Sequence, residues 1–108
     1  MIFVELPWLF TKRFRGLAIF PFIFMKNKKL RNDQTFINHE KIHLNQQKEL
    51  LWIFFFLWYF IEFLIHYIIQ KNMIKAYYNI SFEKEAYKNE NNTDYLKQRK
   101  FWAFLNYL

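Results

Sequence analysis

The 108-residue chain has no cysteine, one glycine and two prolines. Without cysteine it can form neither a disulfide nor a thiolate metal site, and nothing indicates an oxidising compartment. The glycine and both prolines (Pro7, Gly16 and Pro21) all lie within the first 21 residues. Because helix breakers are so few in the remainder, long helices are expected there. The length suits one compact domain, which we place over residues 1–108.

Acidic residues are also scarce: 9 Asp and Glu face 16 Lys and Arg, for a net charge of +7. A solvated basic surface accounts for this excess, and so does attraction to anionic lipid headgroups, at about 1 kcal/mol for each basic residue near the surface. One basic cluster, Lys12, Arg13 and Arg15, follows an apolar N-terminus. The basic residues are otherwise scattered and form no single stripe. We therefore expect membrane lipid as a partner, and no nucleic acid.

The pattern of apolar residues predicts a mostly α-helical fold with a short N-terminal β-strand or hairpin. Residues 17–25 form a short run rich in Ile and Phe, typical of a strand, which Pro21 would confine to a sheet edge. A helix is expected to begin between Asp33 and Thr35, either of which can cap it. It then continues without a breaker.

Residues 50–69 are the most hydrophobic part of the chain. A helix of about 20 residues is about 30 Å long, the thickness of a bilayer core. The segment has two ionisable groups, Glu62 and His66, which either form part of a functional site or pair with each other at a turn or interface. The tail, residues 95–108, has Trp and Tyr beside Lys and Arg, as is typical of an interfacial anchor.

One motif carries chemistry: His39-Glu40-Lys41-Ile42-His43. On a helix, residues four apart lie on one face about 6 Å apart, so His39 and His43 can point their imidazoles at one metal ion. Glu40 lies on the flank of that face, within reach of a water molecule held by the metal. Two nitrogen ligands and a carboxylate base are what zinc-assisted peptide hydrolysis requires. The alternative is a polar helix face with two solvated histidines.

A catalytic zinc ion takes a third protein ligand. Glu49 follows His39 by nearly three helical turns and is too far along the helix. Glu83 and Glu85 open a final short helix that Ser81 is suited to cap. His66 is a further alternative, as the remaining histidine.

The segment Glu83-Lys84-Glu85-Ala86-Tyr87 resembles the second motif of the gluzincin metallopeptidases. The similarity is closest to membrane-bound peptidases that trim prenylated proteins or heat-shock membrane substrates, in which the pattern is Glu-x-x-Ala-Asp. The resemblance implies that Glu83 is the third zinc ligand and that Ala86 packs against the first helix. Tyr87 stands where that family has an Asp that supports a ligand histidine, so it becomes a candidate for that supporting position.

The chain also resembles small bacterial membrane proteins of unknown activity that carry a His-Glu-x-x-His-x-x-Gln-Gln stretch, which Gln46 and Gln47 complete. This resemblance implies a membrane-associated, minimal zincin-like helical fold at the bacterial inner membrane. Gln47 follows His43 by one helical turn, so it is either a hydrogen-bond partner of that ligand or a solvated side chain.

A membrane-spanning segment at residues 50–69 conflicts with a zinc site formed by His39, His43 and Glu83. If residues 50–69 crossed a bilayer once, Glu83 would lie on the opposite side from the two histidines. The helix then lies along or dips into the membrane, or the segment forms a hairpin near Glu62–His66. The remaining alternative is a single-pass subunit without the Glu83 ligand. We expect the first two together, because an extended return through lipid would leave backbone groups unpaired.

Two functions are compatible with these features. The first is a membrane-associated zinc metallopeptidase with Glu40 as general base, a peptide aligned along the strand near Leu17–Phe24, and an oxyanion donor among Tyr77, Tyr78 and Tyr87. The second is a non-catalytic zinc-binding accessory subunit of a membrane protein complex, which the small size favours. Three protein ligands beside an open position indicate the enzyme, and a closed four-ligand site indicates the subunit.

Overall fold

The computed structural model describes residues 1–10 and 14–108. Lys12 and Arg13 of the basic cluster lie outside the described residues. The described chain is mostly helical, with a three-stranded sheet formed by its first 25 residues. This confirms the predicted mostly α fold with a small N-terminal β element.

The sheet contains β1 (Ile2–Glu5), β2 (Gly16–Ile19) and β3 (Phe22–Met25), in the order β1-β3-β2. β3 is central, parallel to β1 and antiparallel to β2. Of the two alternatives, strand or hairpin, residues 17–25 form the hairpin: a turn at Phe20–Pro21, whose peptide bond is cis, separates β2 from β3. Pro21 lies in this turn, so its missing N–H removes no hydrogen bond between β2 and β3.

The first helix, α1 (Gln34–Glu49), begins where the sequence predicts. Asp33 is its N-cap, and the Asp33 carboxylate accepts a hydrogen bond of 3.1 Å from the Phe36 N–H. Phe36 and Leu44 of α1 join Ile23 and Met25 of the sheet in one buried core. This packing leaves the opposite side of α1 for the helices that follow.

Three helices follow: α2 (Ile53–Gln70), α3 (Met73–Asn79) and α4 (Ser81–Asn89). α2 runs unbroken through Glu62 and His66, so the predicted hairpin at these residues is wrong. The chain reverses after α2 instead, with Lys71 in the left-handed conformation (φ 52°), and α3 folds back along α2. The return brings α4 against α1, on the side that carries the two histidines of the motif.

Glu62 holds the beginning of α4. Its carboxylate accepts hydrogen bonds from the Ser81 N–H (2.8 Å) and hydroxyl (2.5 Å), and from the Trp58 indole N–H (2.7 Å). Ser81 is therefore the first residue of α4 and not its cap, because α2 supplies the capping carboxylate. His66 lies one turn further along α2, and its Nε2 is 4.0 Å from Glu62 Oε1.

α2 is long and apolar enough to cross a membrane, as judged by length and composition alone. Only 11% of its residues are buried within the protein. Its outward side chains include Ile53, Leu57, Ile68 and Ile69, each more than half exposed. A core helix of a soluble protein would bury most of such a surface.

The C-terminal tail folds onto the domain through α5 (Tyr95–Gln98) and a 3₁₀ turn (Ala103–Tyr107). Phe104 is completely buried beside Phe82. Arg99 makes a bidentate pair with Glu49 (2.7 and 3.0 Å) and a very close contact with Glu85. Arg99 and Phe104 therefore face the protein, while Phe101 and Leu108 are exposed, so the interfacial anchor at residues 95–108 stays a prediction.

Arg99→Met is expected to lower the free energy of unfolding by about 3–5 kcal/mol, because it leaves two buried carboxylates without their cation. Chemical denaturation followed by tryptophan fluorescence measures the change. Lys97→Met is the matched control, since the pair of Lys97 with Asp94 is exposed and contributes about 0–1 kcal/mol. Equal losses in the two variants would contradict a structural role for the Arg99 pairs.

Candidate metal centre

Three buried side chains place one donor atom each around a common point. Glu83 Oε1 lies 3.3 Å from His39 Nε2 and 3.0 Å from His43 Nε2, and the two nitrogens are 3.1 Å apart. Tetrahedral ligands about 2.0–2.1 Å from zinc lie roughly 3.3 Å from one another, so these spacings fit one face of such a site. Within residues 1–10 and 14–108, this is the group that could hold a metal ion.

The helical period places the two histidines, and α4 brings the carboxylate to them. Gln46 joins the two helices, since its side-chain amide donates to the Phe82 carbonyl (3.1 Å) and to Glu85 Oε1 (2.9 Å). Those two acceptors identify the nitrogen end of the Gln46 amide. The remaining oxygen lies 2.8 Å from His43 Nδ1, which must therefore donate to it. This leaves the lone pair on His43 Nε2, directed at the metal position.

The structure corrects which glutamine supports a ligand. The partner of His43 is Gln46, whereas the amide of Gln47 makes its hydrogen bonds to the hairpin of β2 and β3. Its side-chain oxygen accepts from the Phe20 N–H (2.6 Å), and its nitrogen donates to the Ala18 carbonyl (2.7 Å). The Gln47 amide thus pairs with β2 as the peptide group of a neighbouring strand would.

His39 has a supporting carboxylate that the sequence analysis missed. Glu90 Oε2 lies 3.4 Å from His39 Nδ1, so Glu90 occupies the position that we assigned to Tyr87. Tyr87 instead packs its ring edgewise on His39, with 4.4 Å between ring centroids. The signal was present in the spacing, because Glu90 follows Glu83 by seven residues and so lies on the same face of a helix.

The carboxylate ligand is itself held by two hydroxyls. Tyr59 donates to Glu83 Oε2 (2.7 Å) and Tyr77 donates to Glu83 Oε1 (3.2 Å). Ala86, expected to pack against the first helix, is completely buried, and α4 packs on α1. Each donor atom is thus oriented by a neighbour on another turn or another helix.

The two alternative ligands lie elsewhere. Glu85 points to the opposite side of α4, where Arg99 and Tyr95 bind its carboxylate. His66 lies on α2 beside Glu62. Neither residue belongs to the group of donors around His39, His43 and Glu83.

The charges of the three donors are strongly coupled. Burial alone would raise the pKa of Glu83, but the neighbouring His43 and His39 outweigh it and hold the pKa well below its usual range. Burial lowers the pKa of His39, yet hydrogen bonds to Glu83 and Glu90 raise it to about 10. Without metal, His39 is therefore protonated at neutral pH, and metal binding must release that proton.

Glu40 has a different environment. Its side chain is buried, and burial raises its pKa even though His43 and His39 act in the opposite direction. Within the described ranges, no side chain hydrogen-bonds to the Glu40 carboxylate. Glu40 instead lines a cavity together with the three donors. A carboxylate of raised pKa facing open space is suited to accept a proton.

The cavity beside the metal position has a volume of about 560 Å³. β2 forms one wall with Gly16, Leu17 and Ala18, and α2 contributes Phe55 and Phe56 opposite it. Its size is within the range of about 300–1,000 Å³ for small-ligand pockets in proteins. The site therefore has an open side, with apolar walls and a polar floor.

No family model, curated protein or solved structure matches this chain.

Proposed function

We propose that this protein is a membrane-associated zinc metallopeptidase. The observation that carries the proposal is the triangle of His39, His43 and Glu83 donor atoms, which lies in the same cavity as the buried carboxylate of Glu40. Three donors beside a cavity correspond to a catalytic zinc site, in which one coordination position stays open for water or substrate. A closed structural site would show a fourth donor, and the described residues bring none to this group.

Zinc, when bound, lowers the pKa of a water molecule towards 7 and polarises the substrate carbonyl. Glu40, which lines the same cavity, would accept a proton from the attacking water and pass it to the leaving amine as the peptide C–N bond breaks. Among the three tyrosines that are candidates for stabilising the oxyanion, Tyr77 is best placed, because it lines the cavity with its hydroxyl 3.2 Å from Glu83 Oε1. The Tyr87 hydroxyl donates to the Tyr77 hydroxyl (2.9 Å), whose own hydrogen is directed at Glu83, while Tyr78 is half exposed.

The main chain of a peptide substrate can be aligned by β2, the edge strand that lines the cavity. The Lys26 N–H donates to the Arg15 carbonyl (2.8 Å), and hydrogen-bonded pairs alternate along an antiparallel ladder. The backbone groups of Gly16 and Ala18 therefore point away from β3, towards the cavity. Gln47 already occupies the Ala18 carbonyl, so a substrate would pair with the Gly16 groups and the Ala18 N–H and extend the sheet by one strand.

The test of the proposed activity uses metal removal. The purified protein in detergent micelles is expected to cleave an unstructured protein such as casein, to lose this activity in 1,10-phenanthroline, and to regain it on addition of zinc. Fragment patterns on mass spectra identify the cleaved bonds. Cleavage that persists after metal removal, or no cleavage at one zinc per chain, would contradict the peptidase.

Membrane association is supported by the exposed apolar side of α2 and by the surplus of basic residues. α1 and α4 pack together, so both ends of the α2–α3 excursion must lie on one side of the bilayer. Because the chain has no native cysteine, Lys48→Cys and Lys88→Cys each give a single reactive site on an exposed residue. In sealed vesicles, both are expected to react with an impermeant maleimide from the same side. Reaction of the two from opposite sides would contradict this arrangement.

A further inference from the structure

The cavity at the metal position does not end at α2. A second cavity of about 490 Å³ adjoins it and shares Phe14, Phe56, Tyr59 and Tyr77 with it. This second cavity continues between α2 and α3, where Phe63 and Ile74 form its walls. Together, the two cavities form a groove that leads from the metal position to the exposed side of the α2–α3 hairpin, at Phe60 and Met73.

The chemistry of this groove is almost wholly apolar. The described residues that line the second cavity carry no charge, and their polar atoms are the hydroxyls of Tyr59 and Tyr77. Both hydroxyls are already engaged, by Glu83 and by Tyr87. A polar group placed there would lose its hydrogen bonds to water without replacement, which costs about 1–3 kcal/mol by mutational measures.

We infer that this groove binds large apolar side chains of the substrate, next to the bond that is cleaved. The inference rests on the proposed peptidase function and names its substrate class: extended peptides with bulky aliphatic or aromatic residues, of the kind that membrane segments contain. Two independent features converge on it. The Gly16 backbone groups and the Ala18 N–H, which pair with no other described residue, position a main chain beside the metal donors, since Gln47 takes only the Ala18 carbonyl. The groove then receives the side chains that this added strand projects from the face of the sheet turned towards the cavity.

The route into the groove supports the same substrate class. Its outer end opens between α2 and α3, where Phe60 and Met73 are each more than half exposed. The outer side of α2 is the surface that we propose contacts lipid. A peptide segment leaving the bilayer would therefore enter at the apolar end of the groove and reach the metal donors at the other end.

Two internally quenched peptides that differ only at the residues flanking the cleaved bond, Leu-Phe against Ser-Asn, test this inference in detergent micelles. The apolar peptide is expected to have a kcat/KM roughly 10- to 150-fold higher, the equivalent of burying one large apolar side chain. Ile74→Trp, which fills the second cavity, should remove most of this preference. Ile68→Trp is the control, since Ile68 lies on the same hairpin, is 71% exposed and lines neither cavity.

A second variant, Ile74→Ala, distinguishes an effect on the groove from misfolding of Ile74→Trp. It widens the groove and should shift the preference towards Trp over Leu at the same position, a gain that loss of structure cannot produce. Equal cleavage of the two peptides by the wild type, or equal effects of Ile74→Trp and Ile68→Trp, would overturn the inference.

A binding measurement separates this inference from the proposed activity. Fluorescein-labelled forms of the same peptides are titrated with zinc-free protein, and the anisotropy is recorded. Preferential binding of the apolar peptide, lost in Ile74→Trp, supports the groove even if nothing is cleaved, and the peptidase function alone then fails. Lipid that copurifies with the wild type and with Ile68→Trp but not with Ile74→Trp would identify an acyl-chain site and overturn the inference.

Discussion

Glu40→Gln is expected to lower peptide hydrolysis by a factor of about 100 or more while zinc content stays unchanged, because general-base catalysis contributes roughly 10²–10⁴-fold. Gln keeps the size of the side chain but cannot accept a proton at neutral pH. Glu40 is not one of the three donors, so the metal site keeps its ligands. Its carboxylate makes no hydrogen bond to another described side chain, so the substitution should also leave the fold intact.

Metal analysis and kcat measured on the same preparation test this prediction. Asp94→Asn is the matched control, since it removes an exposed carboxylate that neither lines the cavity nor belongs to the donor group. The accessory-subunit alternative predicts another outcome: Glu40→Gln would behave as wild type in every assay in which His39→Ala fails. That result would end the enzyme interpretation and leave a structural zinc site.

Glu83→Gln is expected to lose most of the zinc, which in the wild type should amount to about one ion per chain. The substitution removes the negative charge that balances the ion and replaces a carboxylate with a weak amide ligand. The affinity for zinc should fall by more than the roughly 10–100-fold that loss of a supporting hydrogen bond costs. Competition with a chromophoric chelator measures the dissociation constant.

Glu85→Gln is the control for this second prediction, because Glu85 lies two residues away on the same helix and is equally buried. Its partner is Arg99 and not the metal position, so it should reduce stability and keep zinc. His39→Ala should resemble Glu83→Gln in zinc content. If Glu83→Gln retained zinc while Glu85→Gln or His66→Ala lost it, the proposed ligand set would be wrong.

The parts of the site that follow from helical periodicity could be predicted from the sequence. His39 and His43 share a face because they are four residues apart, and no tertiary contact is needed to place them. Glu83 could be proposed only through motif resemblance, since 40 residues separate it from His43 and periodicity does not extend across a change of helix. The structure brings it to the histidines by reversing the chain after α2.

The supporting residues depend on tertiary packing, and there the sequence was insufficient. Gln46 and Gln47 follow His43 by three and four residues, and both spacings are compatible with a hydrogen bond. Tertiary packing decides which glutamine supports His43: Gln46 donates to the Phe82 carbonyl of α4, whereas Gln47 donates to the Ala18 carbonyl at the edge of β2. The chain reversal could not be predicted either, because it occurs at Lys71, a residue with no intrinsic preference for the left-handed conformation.

The amide of Gln47 also bears on how the protein remains dispersed. An edge strand with a row of unpaired backbone groups is a template for adding strands from other copies, and such pairing can propagate into aggregates. The Gln47 amide hydrogen-bonds to the Ala18 carbonyl and the Phe20 N–H. The unpaired backbone groups on the outer edge of β2 are therefore confined to its beginning, around Gly16. Gln47→Ala would therefore lengthen the open edge and promote self-association, while the metal donors remain untouched.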